Sequence, residues 1–243
     1  MKITVVMPAY NEAEGIAGFL QELDSALRAW NPHFIVVDDA SLDDTSHAAA
    51  AAAADADPGL SVSVHVNAGN QGHGPTTLTA LRLGLASEPD AVVAIDGDGQ
   101  FAGADVARVV HTLLSSDVEI VEGVRTERGD ALYRQATSLV TQALVWSRCR
   151  EWPKDANTPL RAYRPSSLIS LLDRVPDDAL TPNLIISALC RREGRSVAEV
   201  AVTSQPRRGS TSEGSTWGGR RSSLPSRRFV RFCAQATRQW IRL

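Results

Sequence analysis

Asp96-Gly97-Asp98-Gly99-Gln100 sets two carboxylates one glycine apart, directly after the apolar run Ala91-Val92-Val93-Ala94-Ile95. Carboxylates so spaced can turn to one side of a tight loop. There they offer hard oxygen ligands to Mg²⁺ or Mn²⁺ and leave room for substrate phosphates. Asp-Gly pairs are also ordinary turn chemistry, and it is the position after the most hydrophobic strand that favours the metal reading. A second acidic pair, Asp38-Asp39, closes the run Phe34-Ile35-Val36-Val37. Ligands of open α/β sheets bind beyond the carboxyl ends of the strands, which is where both acidic pairs fall. His73, in Gln71-Gly72-His73-Gly74, has no companions in its neighbourhood to complete a ligand set and is read as solvent-facing.

The elements that must position these residues alternate in the first half of the chain. Strands are expected at 3–7, 34–37, 62–66, 91–95 and 118–121. Between them fall a helix with Ile16, Phe19, Leu20, Leu23, Leu27 and Trp30 at helical spacing, an alanine-rich surface helix through 48–54, and a helix over 76–87. This order predicts an α/β layer with a mainly parallel sheet flanked by helices. After Gly123 the pattern changes: helices over 130–150 and 182–192 flank an irregular segment, 152–164, and a strand comes next at 197–202. Residues 207–222, rich in Ser, Gly, Thr and Arg, read as a loop.

The 243 residues suffice to bury a substantial core, and 43% hydrophobic with 22% charged residues excludes a disordered or collagen-like chain. No run approaches the roughly 18 apolar residues of a membrane span, and the start resembles no signal peptide. The three cysteines, Cys149, Cys190 and Cys233, are an odd number without a C-x-x-C pair, which argues against a disulfide framework or structural zinc and for a reducing cytoplasm. The net charge of −3 hides an asymmetry. Nine arginines and one acid lie from Gln205 onward, leaving 16 of the 25 basic and 27 of the 28 acidic residues to the body. Phe229, Phe232, Cys233, Ala236 and Trp240 fall near helical spacing among these arginines. The tail therefore reads as a basic amphipathic helix, either lying on an anionic bilayer or packed on the body.

No G-x-G-x-x-G or Walker lysine succeeds the first strand, which removes the main support for a dinucleotide or P-loop site. That stretch instead reads Met7-Pro8-Ala9-Tyr10-Asn11-Glu12. Together with Val36-Val37-Asp38-Asp39-Ala40-Ser41-Leu42-Asp43-Asp44-Thr45, Asn67 with its glycine-rich turn, and the D-x-D-x-Q at 96–100, this string resembles the family 2 glycosyltransferases. More narrowly it is similar to the dolichol- or polyprenyl-phosphate sugar synthase branch. Gly123-Val124-Arg125 with Arg128 and Arg134, the Asp155-to-Arg161 segment, and Glu199-Val200-Ala201-Val202 before Arg207-Arg208-Gly209-Ser210 resemble the same branch more loosely. The paired membrane helices of many relatives have no counterpart here.

The resemblance implies a GT-A (Rossmann-like) domain over residues 1–212, with a basic helical tail over 213–243. It implies a metal-dependent, inverting hexosyltransferase. The donor would be a nucleotide-diphospho-sugar and the acceptor a polyprenyl phosphate; the alternatives are a hydroxyl of a small soluble acceptor, or a non-catalytic nucleotide-sugar-binding module. By the same implication Pro8, Tyr10, Glu12, Val37, Asp39, Asp96 and Gly97 would line the nucleotide pocket. Asp96, Asp98 and Gln100 would hold Mg²⁺ or Mn²⁺, with Asp98 the principal ligand, and Asp38 is a turn or helix cap. A lipid phosphate attacks without a base but needs cations to place it, a task suited to Arg125, Arg128, Arg134, Arg207 and Arg208, with a surface position the alternative for Arg128 and Arg208. Arg125, Arg134 and Arg207 are the candidates for the acceptor phosphate. A hydroxyl acceptor would need a base, and Asp155 is the candidate. The expected location is the cytoplasm, including the membrane's cytoplasmic face, with no nucleic-acid partner.

Overall fold

A computed structural model describes residues 1–55, 59–126, 132–209 and 227–242, with the backbone alone for residues 55, 132–138, 227–230 and 242. The first strand, β1 (Ile3–Ala9), is buried along all seven residues. Its side chains alternate between the two faces of the sheet. Ile3, Val5 and Met7 join one core with Ile16, Phe19, Leu20, Leu23 and Leu27 of α1 (Ile16–Leu27), whereas Val6 joins a second core on the opposite face. Full burial of each such side chain contributes about 1.5–3 kcal/mol.

After α1 and a single 3₁₀ turn (Arg28–Trp30) the chain forms β2 (Pro32–Asp38), α2 (Thr45–Asp55), β3 (Ser61–Val66) and α3 (His73–Ala86). It then returns to the middle of the sheet as β4 (Ala91–Ala94). Next come α4 (Gly103–Leu114), β5 (Ile120–Arg125), α5 (Leu132–Cys149), β6 (Arg161–Tyr163), α6 (Pro165–Leu172), α7 (Pro182–Arg192), β7 (Val197–Val202) and α8 (Arg227–Arg242). The seven-stranded order is β3-β2-β1-β4-β6-β5-β7. All pairings are parallel except those of β6, which runs antiparallel between β4 and β5.

Most expected elements are present, with shifted ends: β5 starts two residues later than its apolar run and continues to Arg125, and α3 begins at His73. Three elements are added. Helix α4 places Val106, Val109, Val110 and Leu113 against the first core, and α6 places Leu168 and Leu171 against the second. Strand β6 lies inside the segment expected to be irregular. Arg128 and residues 210–226, which include most of the expected loop 207–222, fall outside the described residues, and Arg134 is described by its backbone alone.

The basic helix α8 docks on the body. Trp240 is 6% exposed, the Arg148 guanidinium donates to its carbonyl (2.6 Å) and lies 5.7 Å over its ring, and Gln239 bonds both the Leu180 amide (2.9 Å) and the Asp178 carbonyl (2.8 Å). Among the described residues no helix is long and apolar enough to cross a membrane.

Candidate functional site

The chain runs outward from β1 to β2 and β3 and then crosses back to β4 on the other side of β1, so the sheet's switch point lies between β1 and β4. A crevice opens there beyond the carboxyl ends. Ile95 donates its amide to the Val6 carbonyl (3.1 Å), and Gly97 donates to the Pro8 carbonyl (3.1 Å). This lacing carries the β4–β1 pairing past the strands and holds Asp96-Gly97-Asp98 beside Pro8, Ala9 and Tyr10 at the rim. Asp98 accepts the Gln100 amide (3.2 Å), and Gly99 takes φ +69°, a conformation that glycine adopts without strain.

The loop gathers negative charge. Burial pushes the Asp98 carboxyl up to about 7, and the neighbouring Asp96 and Glu12 charges push the same way. Glu12 is likewise raised by burial, against the Arg207 guanidinium that pairs with it. Among the described residues no group of three or more His, Cys, Asp or Glu is placed so that it could hold a metal ion by itself. Two crowded carboxylates with an open side are nevertheless a suitable donor set for a divalent ion that takes its remaining oxygens from substrate. His73 Nε2 lies 3.8 Å from Asp96 Oδ1 at the start of α3, and its side chain is largely exposed, as expected from the sequence. Gln100 is turned outward, its amide nitrogen donating to the Gln205 carbonyl (3.2 Å).

The pocket wall expected from Val37, Asp39, Tyr10 and Glu12 is laced from β1 and β2. The Glu12 amide donates to Thr45 Oγ1 (2.8 Å), the Asn11 amide to Ser41 Oγ (3.0 Å), and the Leu42 amide to Asn11 Oδ1 (2.9 Å). Asp38 accepts both the amide (3.0 Å) and the hydroxyl of Ser41 and is the expected turn cap. Buried Asp39 accepts from Asn67 Nδ2 (2.9 Å) and from the Gln71 and Gly72 amides (both 2.8 Å), so it folds the glycine-rich turn toward the crevice. Val37 is buried and Tyr10 half-buried.

The expected arginines divide. Arg125 at the end of β5 grips Asp155 with two hydrogen bonds (2.7 and 3.0 Å), and both residues have further interactions. Arg207 pairs with Glu12 and donates to the Tyr10 carbonyl (3.3 Å). Arg208 points away from the crevice, pairing with Glu22 of α1. A cluster that no sequence signal marked lies beneath the site. Fully buried Glu122 meets Arg161 (2.9 Å) and Arg191 (2.6 Å), and Arg161 donates to the Thr158 (3.0 Å) and Ala156 (2.8 Å) carbonyls, fixing the loop that carries Asp155. Arg161 itself stands in the motif resembling the family's; its burial depends on Glu122 from another strand.

A mostly parallel sheet with helices on both faces and an acidic loop at its switch point is the GT-A glycosyltransferase architecture. The family model for glycosyl transferase family 2 matches residues 4–172, and the chain belongs to that family. A curated relative, an uncharacterized protein of Methanocaldococcus jannaschii, is 24% identical over 206 residues, covering 83% of this chain and 80% of that protein. The undecaprenyl-phosphate 4-deoxy-4-formamido-L-arabinose transferase of Yersinia pestis is 26% identical over 165 residues, 67% of this chain and 49% of that enzyme, so the chain spans about half its length. Among solved structures, glucosyl-3-phosphoglycerate synthase from Mycobacterium tuberculosis, in complex with Mn²⁺, UDP and glucosyl-3-phosphoglycerate, superposes with TM-score 0.64 at 23% identity, covering 86% of this chain and 73% of that one. A mannosyltransferase from Pyrobaculum calidifontis, in complex with GDP-Man and Mn²⁺, gives 0.62 at 20% identity, covering 99% and 64%.

Proposed function

We propose that this chain transfers a sugar from a nucleotide-diphospho-sugar to a polyprenyl phosphate, with Mg²⁺ or Mn²⁺, inverting the anomeric carbon in a single displacement. The observation that carries the reading is the crowding of half-buried Asp96 and Asp98 beside buried Glu12 at the β1–β4 crevice, where clustered negative charge calls for a cation. A divalent ion held there supplies the neutralisation that lets a nucleoside diphosphate leave. Asp96 and Asp98 hold the ion, and Gln100, the third expected ligand, would have to leave the Gln205 carbonyl to join them. Pro8, Tyr10, Glu12, Val37, Asp39 and Gly97 form the nucleotide side of the crevice, and Arg207 adds positive charge at its rim.

An acceptor phosphate is already ionised near neutral pH and needs placing rather than deprotonation. Arg125 and Arg134, with Arg207, are assigned to that task. The bidentate bond between Arg125 and Asp155 engages the guanidinium and the carboxylate alike and fixes Arg125 at the end of β5. The name of the Yersinia relative gives the same acceptor class. The exposed Arg231 and Arg238 of docked α8 are suited to peripheral contact with anionic lipid. A second reading, transfer to a hydroxyl of a small phosphorylated acid, draws on the likeness to glucosyl-3-phosphoglycerate synthase and would return Asp155 to the role of base.

Incubation with UDP-, GDP- and dTDP-sugars, Mn²⁺ and polyprenyl phosphate separates the readings. A lipid-linked sugar supports the first. A water-soluble glycoside formed only when a small hydroxy acid is added supports the second. No transfer from any donor contradicts both.

A further inference from the structure

Residues 203–209, immediately after β7, run back along the acidic loop as a strap. Thr203 donates its amide to Asp105 Oδ2 (2.8 Å), Ser204 forms an antiparallel bridge with Phe101, the Gln205 amide donates to the Gln100 carbonyl (2.8 Å), and the Arg208 amide donates to the Asp98 carbonyl (3.0 Å). The strap's two adjacent arginines reach opposite partners, Glu12 and Glu22.

Arg207 faces the crevice, held by Glu12 and the Tyr10 carbonyl and close enough to Asp96 and Asp98 to feel their charge. Arg208 faces α1. Its guanidinium pairs with Glu22 and lies 5.1 Å over the Phe19 ring, and its Nε reaches the Gly99 carbonyl (3.4 Å). Glu22 also accepts the Gly103 amide at the start of α4 (2.6 Å), so one carboxylate ties the strap to two helices. Two glycines make the space. A Cβ at Gly15 would stand 2.7 Å from Arg208 Cβ, and one at Gly99 would stand 2.5 Å from Arg208 Cδ.

We propose that Arg208, anchored by Glu22 and seated against Gly15, Gly99 and Phe19, is a positioning residue for sugar transfer: it clamps the strap to the acidic loop and thereby delivers Arg207 to the phosphate-binding side of the crevice. The inference rests on the proposed function and deepens it, since Arg207 is the group that meets phosphate oxygens and Arg208 meets none. The guanidinium does this with several donors and a planar face at once, which a lysine ammonium cannot reproduce.

Hydrogen exchange and kinetics on Arg207→Gln, Arg208→Gln, the double variant and Glu22→Gln test it. Arg208→Gln and Glu22→Gln should speed amide exchange in peptides spanning 96–101 and 203–209, whereas Arg207→Gln leaves those peptides protected. This readout does not depend on the reaction. In transfer assays, Arg208→Gln should lower kcat/KM about 10-fold, and the double variant should fall no further than Arg207→Gln, the mark of two residues acting through one. Unchanged exchange in both Arg208→Gln and Glu22→Gln, or losses in the double variant that multiply, overturns the clamp. Absence of transfer by the wild type contradicts the proposed function instead, and the exchange data still decide whether Arg208 holds the strap.

Discussion

The Arg125 guanidinium meets the Asp155 carboxylate through two parallel hydrogen bonds, Nε to Oδ2 at 2.7 Å and a terminal nitrogen to Oδ1 at 3.0 Å. The pair joins the end of β5 to the loop before β6, with Asp155 only 2% exposed. Its strength lies in geometry: the fork fixes the guanidinium plane as well as its position. Asp155→Asn and Arg125→Lys should therefore behave alike, each lowering kcat/KM about 10–100-fold by misplacing the acceptor and raising acceptor KM more than donor KM. Steady-state kinetics check this. A loss confined to Asp155→Asn, with Arg125→Lys like wild type, contradicts the positioning role and identifies Asp155 as a base.

Below that pair, Glu122 is buried between two guanidiniums. Burial alone would raise its carboxyl, but Arg161 and Arg191, with the Ser187 hydroxyl, hold it below its ordinary value of 4.5. Removing one partner of a buried ion pair costs about 3–5 kcal/mol, and Arg161→Met should lose that much in urea unfolding. Because the folded value is depressed, the carboxylate's contribution is in place above pH 4.5 and fades as pH falls through the lower folded value. The stability gap between wild type and Glu122→Gln should narrow as pH drops below 4.5. A gap independent of pH contradicts the account.

Trp240 of α8 joins the second core, which includes Ile185, Ala188 and Leu189 of α7. Trp240→Ala removes the buried indole that anchors the helix end, and large-to-small changes at such sites cost about 3–5 kcal/mol where fully enclosed. Tryptic cleavage at the arginines of residues 227–238 should accelerate while the sheet stays folded by circular dichroism. Equal cleavage rates in variant and wild type contradict the docking.

How much the sequence could disclose depends on how local each signal is. Strands β1, β2 and β4 are built on the apolar runs Val5-Val6-Met7, Phe34-Ile35-Val36-Val37 and Ala91-Val92-Val93-Ala94-Ile95, and the acidic residues that succeed the last two point to the crevice before any contact is known. Helices α4 and α6 have local signals too, Val106-Val109-Val110-Leu113 and a proline at the start of α6. Strand β6 has none: three residues led by a charged Arg161 become a strand only because β4 and β5 pair with them on either side. The same limit governs the site. D-x-D can be read from neighbours in sequence, whereas Arg125 meets a partner 30 residues away, and adjacent Arg207 and Arg208 differ only in the direction each faces.

The most direct test concerns the crowded carboxylates. Calorimetric titration of Mn²⁺ into protein holding UDP or GDP, at several pH values, reads the cation site without relying on turnover. A metal must displace the proton that Asp98 keeps up to about pH 7, so affinity should climb from pH 6 to pH 8, by up to about tenfold per unit below 7. In Asp98→Asn, Mn²⁺ binding should fall at least about 10-fold and lose that pH dependence. Wild-type affinity for Mn²⁺ in Asp98→Asn, unchanged across the pH range, would contradict the cation site on which the account depends.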